Sequence, residues 1–360
     1  MQLNDFDGLR PRTSGLRDDH NQWRQTLRDF VDENIAPHID AWSEAGTFPD
    51  SLYEDAANSG LLGFGFPQEL GGWSQDVDLY HRIIFAEELH RLGSGVVFAD
   101  LATHWIGLPP VVDHGGPDLR ETVVRPVLAG RQRIAFAVTE PGGGSDVSAI
   151  ATTATPDGGD YLLSGSKTLI SGALRANWLL VVAKVPGADK GGLTLFIVDA
   201  GATGVGMSPV PGLGWYSASN GTIELDSVRV PTTMRIGEVG QAFRCLTKQF
   251  NIERFSGVAS ALALARVATA DAIAWAQERK AFNKRLVEHQ SLRHRLVSMV
   301  RDIHAGYAYL DHCVSRFESG EVPIADLCML KIHATGVLER CAQGAMHVLA
   351  GEAYRGNSRV

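Results

Sequence analysis

Residues 136–146 read Phe-Ala-Val-Thr-Glu-Pro-Gly-Gly-Gly-Ser-Asp, so three consecutive glycines, Gly142 to Gly144, stand between the hydroxyls of Thr139 and Ser145. Backbone without Cβ atoms can come close to a ligand and turn its N–H groups toward an anion, while the two hydroxyls can donate to a polar ring or a pyrophosphate. Taken alone, such spacing marks a turn more often than a phosphate cradle. Glu140 and Asp146 in the same run are read as structural. A second polar group is Asn251-Ile252-Glu253-Arg254, which on spacing alone is a helix glutamate paired with a nearby cation. A third is Arg279-Lys-Ala-Phe282-Asn-Lys284, followed by Glu288-His289-Gln290. A guanidinium offers forked donors to phosphate oxygens, although by itself Arg279 is a solvated helix charge.

Three kinds of element must hold these groups. Trp23, Leu27, Phe30, Val31 and Ile35 recur at helical spacing until Pro37, and Ser51 with Glu54 has the pattern of a capping box for a helix ending near Gly60. A Gly- and Pro-rich loop follows, and helical pattern resumes over 80–92. From Ile134 to about Met234 the pattern becomes short strand-like runs, among them 178–185, 193–198 and 222–230, with Pro156-Asp-Gly-Gly159 as a hairpin turn. Helical periodicity returns after Gly240. Leu292, Leu296, Met299, Ile303, Tyr307, Leu310, Val314 and Phe317 form one stripe, and Leu327, Leu330, Ala334, Val337, Cys341, Ala345 and Val348 another. Gly, Ala and Ser crowd residues 256–274, which suits close helix packing. The expected fold class is α+β, with an N-terminal helical domain (1–133), a central β domain (134–236) and a C-terminal helical bundle (237–360).

Composition narrows the function. The 360 residues are 44% apolar and 21% charged, as in an ordinary globular protein large enough for a substantial core. Net charge is −8 and no segment is strongly basic, which argues against nucleic acid or an anionic membrane as partner. No apolar run is read as long enough to span a bilayer. Met1 to Asp18 shows no targeting pattern, so a cytoplasmic protein is expected. The four cysteines (Cys245, Cys313, Cys328, Cys341) lack metal-like or CxxC spacing and read as free thiols.

Read whole, residues 136–146 resemble the flavin-contacting motif of acyl-CoA dehydrogenases, aromatic-x-Val-Thr-Glu-Pro-x-x-Gly-Ser-Asp. Gly165-Ser-Lys167-Thr-Leu169-Ile170-Ser171 resembles that family's Gly-x-Lys-x-Trp-Ile-Thr strand along the flavin, with Leu169 for Trp and Ser171 for Thr. Residues 279–290 are similar to its Arg-x-x-Phe-Gly-Lys and His-Gln elements, with Asn283 for Gly. Ala345-Met-His347-Val-Leu-Ala350-Gly351-Glu-Ala353-Tyr resembles Ile-Gln-x-x-Gly-Gly-x-Gly-Tyr, with His347 for Gln. The resemblance runs from about Arg24 to Val360 with its motifs in family order.

It implies FAD as cofactor, contacted by Phe136, Val138, Thr139, Gly144, Ser145, Leu169, Ile170, Ser171, Arg279, Phe282, Gln290, His347 and Gly351. His347 reads equally well as an ordinary helix residue. It also implies a homodimer or homotetramer, in which residues 279–290 reach the neighbour's flavin, and an acyl-CoA substrate in fatty acid metabolism. The resemblance further implies α-proton abstraction with β-hydride transfer to FAD, and an electron-transfer flavoprotein as acceptor. The family carries its base in one of two places. Glu253, immediately before an arginine on a helix, matches the isovaleryl- and long-chain type and is the candidate base, with Ser145, Asn251 and Arg254 as substrate contacts. The family continues beyond the position of Val360, so a longer chain is expected. Rival readings are a flavin oxidase or monooxygenase on the same scaffold, a dehydrogenase acting on carrier-protein thioesters, and a flavin-binding subunit without turnover.

Overall fold

A computed structural model describes residues 5–13, 15–188, 192–212, 214, 219–355 and 358–360. The chain begins with α1 (Asp18–Asn34), α2 (Ile39–Ala45), α3 (Ser51–Asn58) and α4 (Leu79–Leu89). Then come α5 (Val96–Leu101), α6 (His104–His114) and the short turns α7 (Pro117–Leu119) and α8 (Arg125–Leu128). Strands follow as β1 (Ile134–Ala137), β2 (Thr153–Asp157), β3 (Asp160–Ile170), β4 (Trp178–Lys184), β5 (Leu193–Asp199), β6 (Val205–Pro209), β7 (Gly221–Pro231) and β8 (Arg235–Ile236). The last part holds α9 (Ala242–Glu278), the hairpin strands β9 (Lys280–Ala281) and β10 (Lys284–Arg285), α10 (Gln290–Glu318) and α11 (Ile324–Leu349). The helical, β, helical order follows the changes of periodicity.

The chain gathers into two compact units, each drawing on more than one of the three expected segments. One comprises Met1–Asp40, Asp78–Gly95 and Asn251–Val360; the other comprises Ala41–Val77 and Val96–Phe250, so the boundary falls inside α9.

The unit containing the sheet has eight strands in the order β6-β7-β3-β2-β4-β5-β8, with β1 pairing parallel to β4, Ile134 opposite Trp178. Its core is the apolar cluster of Ala135, Ala137, Leu163, Leu179, Val181, Phe196, Ile223, Leu225 and Val228 with their neighbours. Pairing of β3 with β7 shifts register twice, the second time between Lys167 and Ile170. Such a bulge bends the strand and re-aims a side chain. Here it places Leu169 in the left-handed region at φ +57. The hairpin turn after Asp157 is made by Gly158 and Gly159, both at positive φ. The capping box expected at Ser51 does not form. Asp50 is the N-cap residue, Ser51 is the first helical residue, and no side chain caps α3. The Asp50 carboxylate is bound instead by Arg175 at 2.6 Å and Arg133 at 3.3 Å.

In the other unit α1 packs on α4 and α10 on α11. The stripes expected on α10 and α11 are buried as the periodicity requires, with Leu292 and Phe317 at the partly exposed ends. Gly306 of α10 sits so close to Leu262 of α9 that an added Cβ would meet Leu262 Cδ2 at 2.6 Å. On α4 every residue except Arg82 is buried, so its two glutamates must be paired. Glu87 takes Arg10 and Arg24, and Glu88 takes Arg24 and Arg28, at 2.7–2.9 Å. Among the described residues one helix, α9, has the length and apolar composition to cross a membrane, which the sequence reading missed. Its most apolar window is 72% buried within the protein, as in a core helix.

Candidate functional site

The cradle starts where β1 ends. Glu140 and Gly143 exchange backbone hydrogen bonds at 3.0 and 3.1 Å, closing residues 140–143 into a tight turn. Asp146 ends the run by accepting from the Ser148 N–H and hydroxyl, capping a short 3₁₀ turn at Val147–Ala149. None of the three glycines lies in the left-handed region. A Cβ on Gly142 would meet nothing within 4 Å, one on Gly143 only the Asp146 carbonyl at 3.7 Å, and one on Gly144 only Thr139 Cγ2 at 3.5 Å. Neither backbone strain nor crowding therefore demands glycine here. What the run preserves is open space above an exposed turn, as close approach of a ligand to backbone requires.

Beneath the turn lies a fully satisfied carboxylate. Glu140 accepts from the Ala151 N–H at 2.7 Å, the Thr152 N–H at 3.0 Å, the Thr152 hydroxyl at 2.5 Å and Lys167 Nζ at 2.8 Å. Burial pushes its pKa up, but these donors outweigh burial and hold it below the ordinary glutamate value. The Thr168 N–H donates to the Thr139 carbonyl at 2.9 Å and ties the turn to β3. The structure thus brings residues 136–145 together with 168–171. Phe136, Val138 and Ile170 are buried, Thr139 and Ser171 are half-buried, and Gly144 and Ser145 are exposed. Leu169 is 61% exposed, turned out by the bulge.

On α9, Asn251 is buried and its Oδ1 accepts from Arg254 Nη1 at 2.6 Å. Glu253 has no hydrogen bond or ion pair among the described residues, although Arg254 and Lys331 are near enough to act on its charge. Solvent reaches its carboxylate, yet the surrounding protein desolvates it enough to raise its pKa, and the two cations offset only part of that rise.

Residues 280–285 form a hairpin closed by a two-residue turn, with Ala281 opposite Lys284. Phe282 and Asn283 at its tip are both left-handed, at φ +52 and +60. Phe282 is 91% exposed and is flanked by the exposed cations Lys280, Lys284 and Arg285. Arg279 is exposed, its guanidinium 5.8 Å from the Trp275 ring centre. Gln290, the first residue of α10, is exposed as well. His347 Nδ1 accepts from Arg295 Nη1 at 2.8 Å. Gly351 is exposed with open space around it, and Ala350 before it has φ +53.

The models of the acyl-CoA dehydrogenase N-terminal, middle and C-terminal domains match residues 17–131, 135–228 and 240–360 in that order. The chain belongs to the acyl-CoA dehydrogenase family. It is 30% identical to the 3-(aryl)acrylate reductase of Clostridium sporogenes, over 93% of this chain and 89% of that protein. It is also 30% identical to the caffeyl-CoA reductase-Etf complex subunit CarC of Acetobacterium woodii, over 92% and 88%. Among solved structures, the acyl-CoA dehydrogenase of Geobacillus kaustophilus is 26% identical with a TM-score of 0.91, covering 96% of this chain and 92% of that one.

Acyl-CoA dehydrogenases are FAD-dependent oxidoreductases, and the cradle fits such a group: an open glycine turn, flanking hydroxyls and an outward apolar side chain at Leu169. Three departures from the family motifs fall on left-handed backbone, Leu169, Asn283 and Ala350. Asparagine tolerates that region, whereas alanine there is strained. The feature missed in the sequence is the partnership of Lys167 with Glu140. Strand alternation puts Lys167 on the buried face of β3 along with Leu163, and an inward lysine needs a carboxylate.

Proposed function

We propose that this chain catalyses FAD-dependent α,β-dehydrogenation of an acyl-CoA thioester, with Glu253 as the base that removes the α proton. The observation that carries this reading is the state of Glu253, a solvent-reached carboxylate with no ion-pair partner among the described residues and a raised pKa. A thioester α proton is weakly acidic, so its removal needs an unpaired carboxylate whose proton affinity has been lifted toward neutral pH. Arg254 is bonded to Asn251 and not to Glu253, and its charge offsets only part of the rise in the Glu253 pKa. Bound FAD would take the β hydride. The backbone and hydroxyls of half-buried Thr139 and exposed Gly144 and Ser145, with Ile170 at the end of β3 and Ser171 just after it, would orient the ring.

An electron-transfer flavoprotein is proposed as electron acceptor, supported by the Etf complex named for the Acetobacterium relative. A homodimer or homotetramer is proposed because Phe282, 91% exposed between cations, suits burial against a second subunit.

The test is a panel of acyl-CoAs added anaerobically to the FAD-loaded protein, scored by flavin bleaching, with Glu253→Gln as control. Bleaching by at least one thioester, lost in the variant, is expected. Equal bleaching by parent and variant removes Glu253 from the mechanism. Tight FAD binding with no bleaching by any thioester points to a subunit without turnover. Peroxide release in air in place of dye reduction points to an oxidase. Because two relatives are named as reductases, the reduced protein is also offered the matching enoyl thioesters.

A further inference from the structure

Proton abstraction and hydride transfer make no use of the buried ion pair beneath the cradle turn. The side chain of Lys167 is wholly enclosed, and its Nζ donates to the Val138 carbonyl at 3.1 Å and to Glu140 Oε1 at 2.8 Å. Fastening β3 to the turn does not by itself call for a charge, since buried ion pairs can often be replaced by apolar packing of similar volume. What the ammonium adds is direction. The Val138 carbonyl and the Thr139 N–H belong to one peptide unit, and the described chain has no cis peptide. In a trans unit the two groups point to opposite sides. A cation on the carbonyl therefore draws electron density through the amide and strengthens the N–H as a donor on the far side. The next peptide is pinned as well, through the Thr168 N–H on the Thr139 carbonyl at 2.9 Å. Glu140, held in place by Ala151 and Thr152, opposes the ammonium.

We propose that Lys167 and Glu140 are a pair of positioning residues for the flavin. Lys167 acts through the Val138–Thr139 peptide to present a fixed, polarised N–H that raises the reduction potential of bound FAD, and Glu140 moderates that effect. The inference rests on the reading of residues 139–145 as the flavin cradle. Reduction places negative charge on the ring, and a pre-oriented donor stabilises developing charge more than it stabilises the neutral ring.

The test is a spectroelectrochemical titration of bound FAD in the full chain, comparing the parent with Lys167→Met and Glu140→Gln. In Lys167→Met the preference for reduced over oxidised flavin should fall about tenfold, equivalent to about 30 mV downward for a two-electron couple. Glu140→Gln keeps an acceptor for Lys167 but removes the opposing charge, so its potential should rise. A passive clamp would lose FAD affinity in both variants without this reversal of sign. Potentials that stay put, or move the same way in both, overturn the proposal. Should Lys167→Met not fold, Glu140→Gln decides alone: a rise supports the proposal, and no change or a fall overturns it. A parent that takes up no FAD sinks the cradle reading and the inference with it. A parent that binds FAD and bleaches, with unshifted variants, sinks the inference alone.

Discussion

Glu140 and Glu253 carry the same side chain and meet opposite surroundings. Glu140 lies beneath the cradle turn, where two backbone N–H groups, a hydroxyl and an ammonium converge on its oxygens and pull its pKa down. Glu253 stands on α9 where protein crowds it without offering a donor, and its pKa rises. A carboxylate whose acceptors are all engaged is a fastening. One that protein partly desolvates without supplying donors holds its proton more tightly, which favours a base. The role follows from the number of donors that reach the oxygens, since both groups have protein around them.

That contrast can be broken at either end. Glu253→Gln should lower the rate of flavin bleaching by a substrate thioester by about 10²–10⁴-fold, the usual contribution of a general base, while FAD content stays at the parent level. Stopped-flow absorbance measures it, and a loss below tenfold would place the base elsewhere. Glu140→Ala should leave Lys167 buried without its counter-charge and cost about 3–5 kcal/mol of stability, read from denaturant unfolding of the apoprotein. A cost under about 1 kcal/mol would mean that the pair does not fasten the turn.

Smaller effects sharpen the comparison. The bleaching rate should fall on the acid side of a pKa raised above the ordinary glutamate range, because only the ionised form of Glu253 accepts a proton. Lys331 pulls that pKa down, so Lys331→Met should move the acid limb upward. A limb unmoved or shifted downward in the variant would show that the titrating group is not Glu253. The smallest effect is on stability against pH. Since folding raises the pKa of Glu253, the stability linked to its proton is complete below the unfolded carboxylate's pKa and is lost as pH rises through the folded value. Glu253→Gln should therefore flatten the parent's decline across that window, measured as Tm at a series of pH values. Parallel Tm curves would contradict the raised pKa.

Much of the fold was legible because it is written in local periodicity. The change at Ile134, the strands at 178–185 and 193–198 and the stripes on α10 and α11 follow from side-chain spacing that an isolated segment carries. The cap of α3 was not legible. Ser51 and Glu54 have the right spacing, but Asp50 takes the N-cap position and its carboxylate is drawn to Arg175, 125 residues away. The hairpin at 279–285 was hidden as well, since Phe282 at positive φ defies local preference. On α4, the spacing of Glu87 and Glu88 does not show that half-buried arginines of other segments close on them.

The sequence by itself determined the order of helical and β segments, the glycine turn with its hydroxyls and the family to which the chain belongs, because periodicity and motif order are properties of the chain read in line. Only the tertiary structure decided which carboxylate is saturated and which is left without a partner. Lys167 reaches Glu140 across 27 positions, while nothing among the described residues reaches Glu253 closely enough to bond it. Donors separated by tens of residues converge only on folding, and their convergence sets proton affinity.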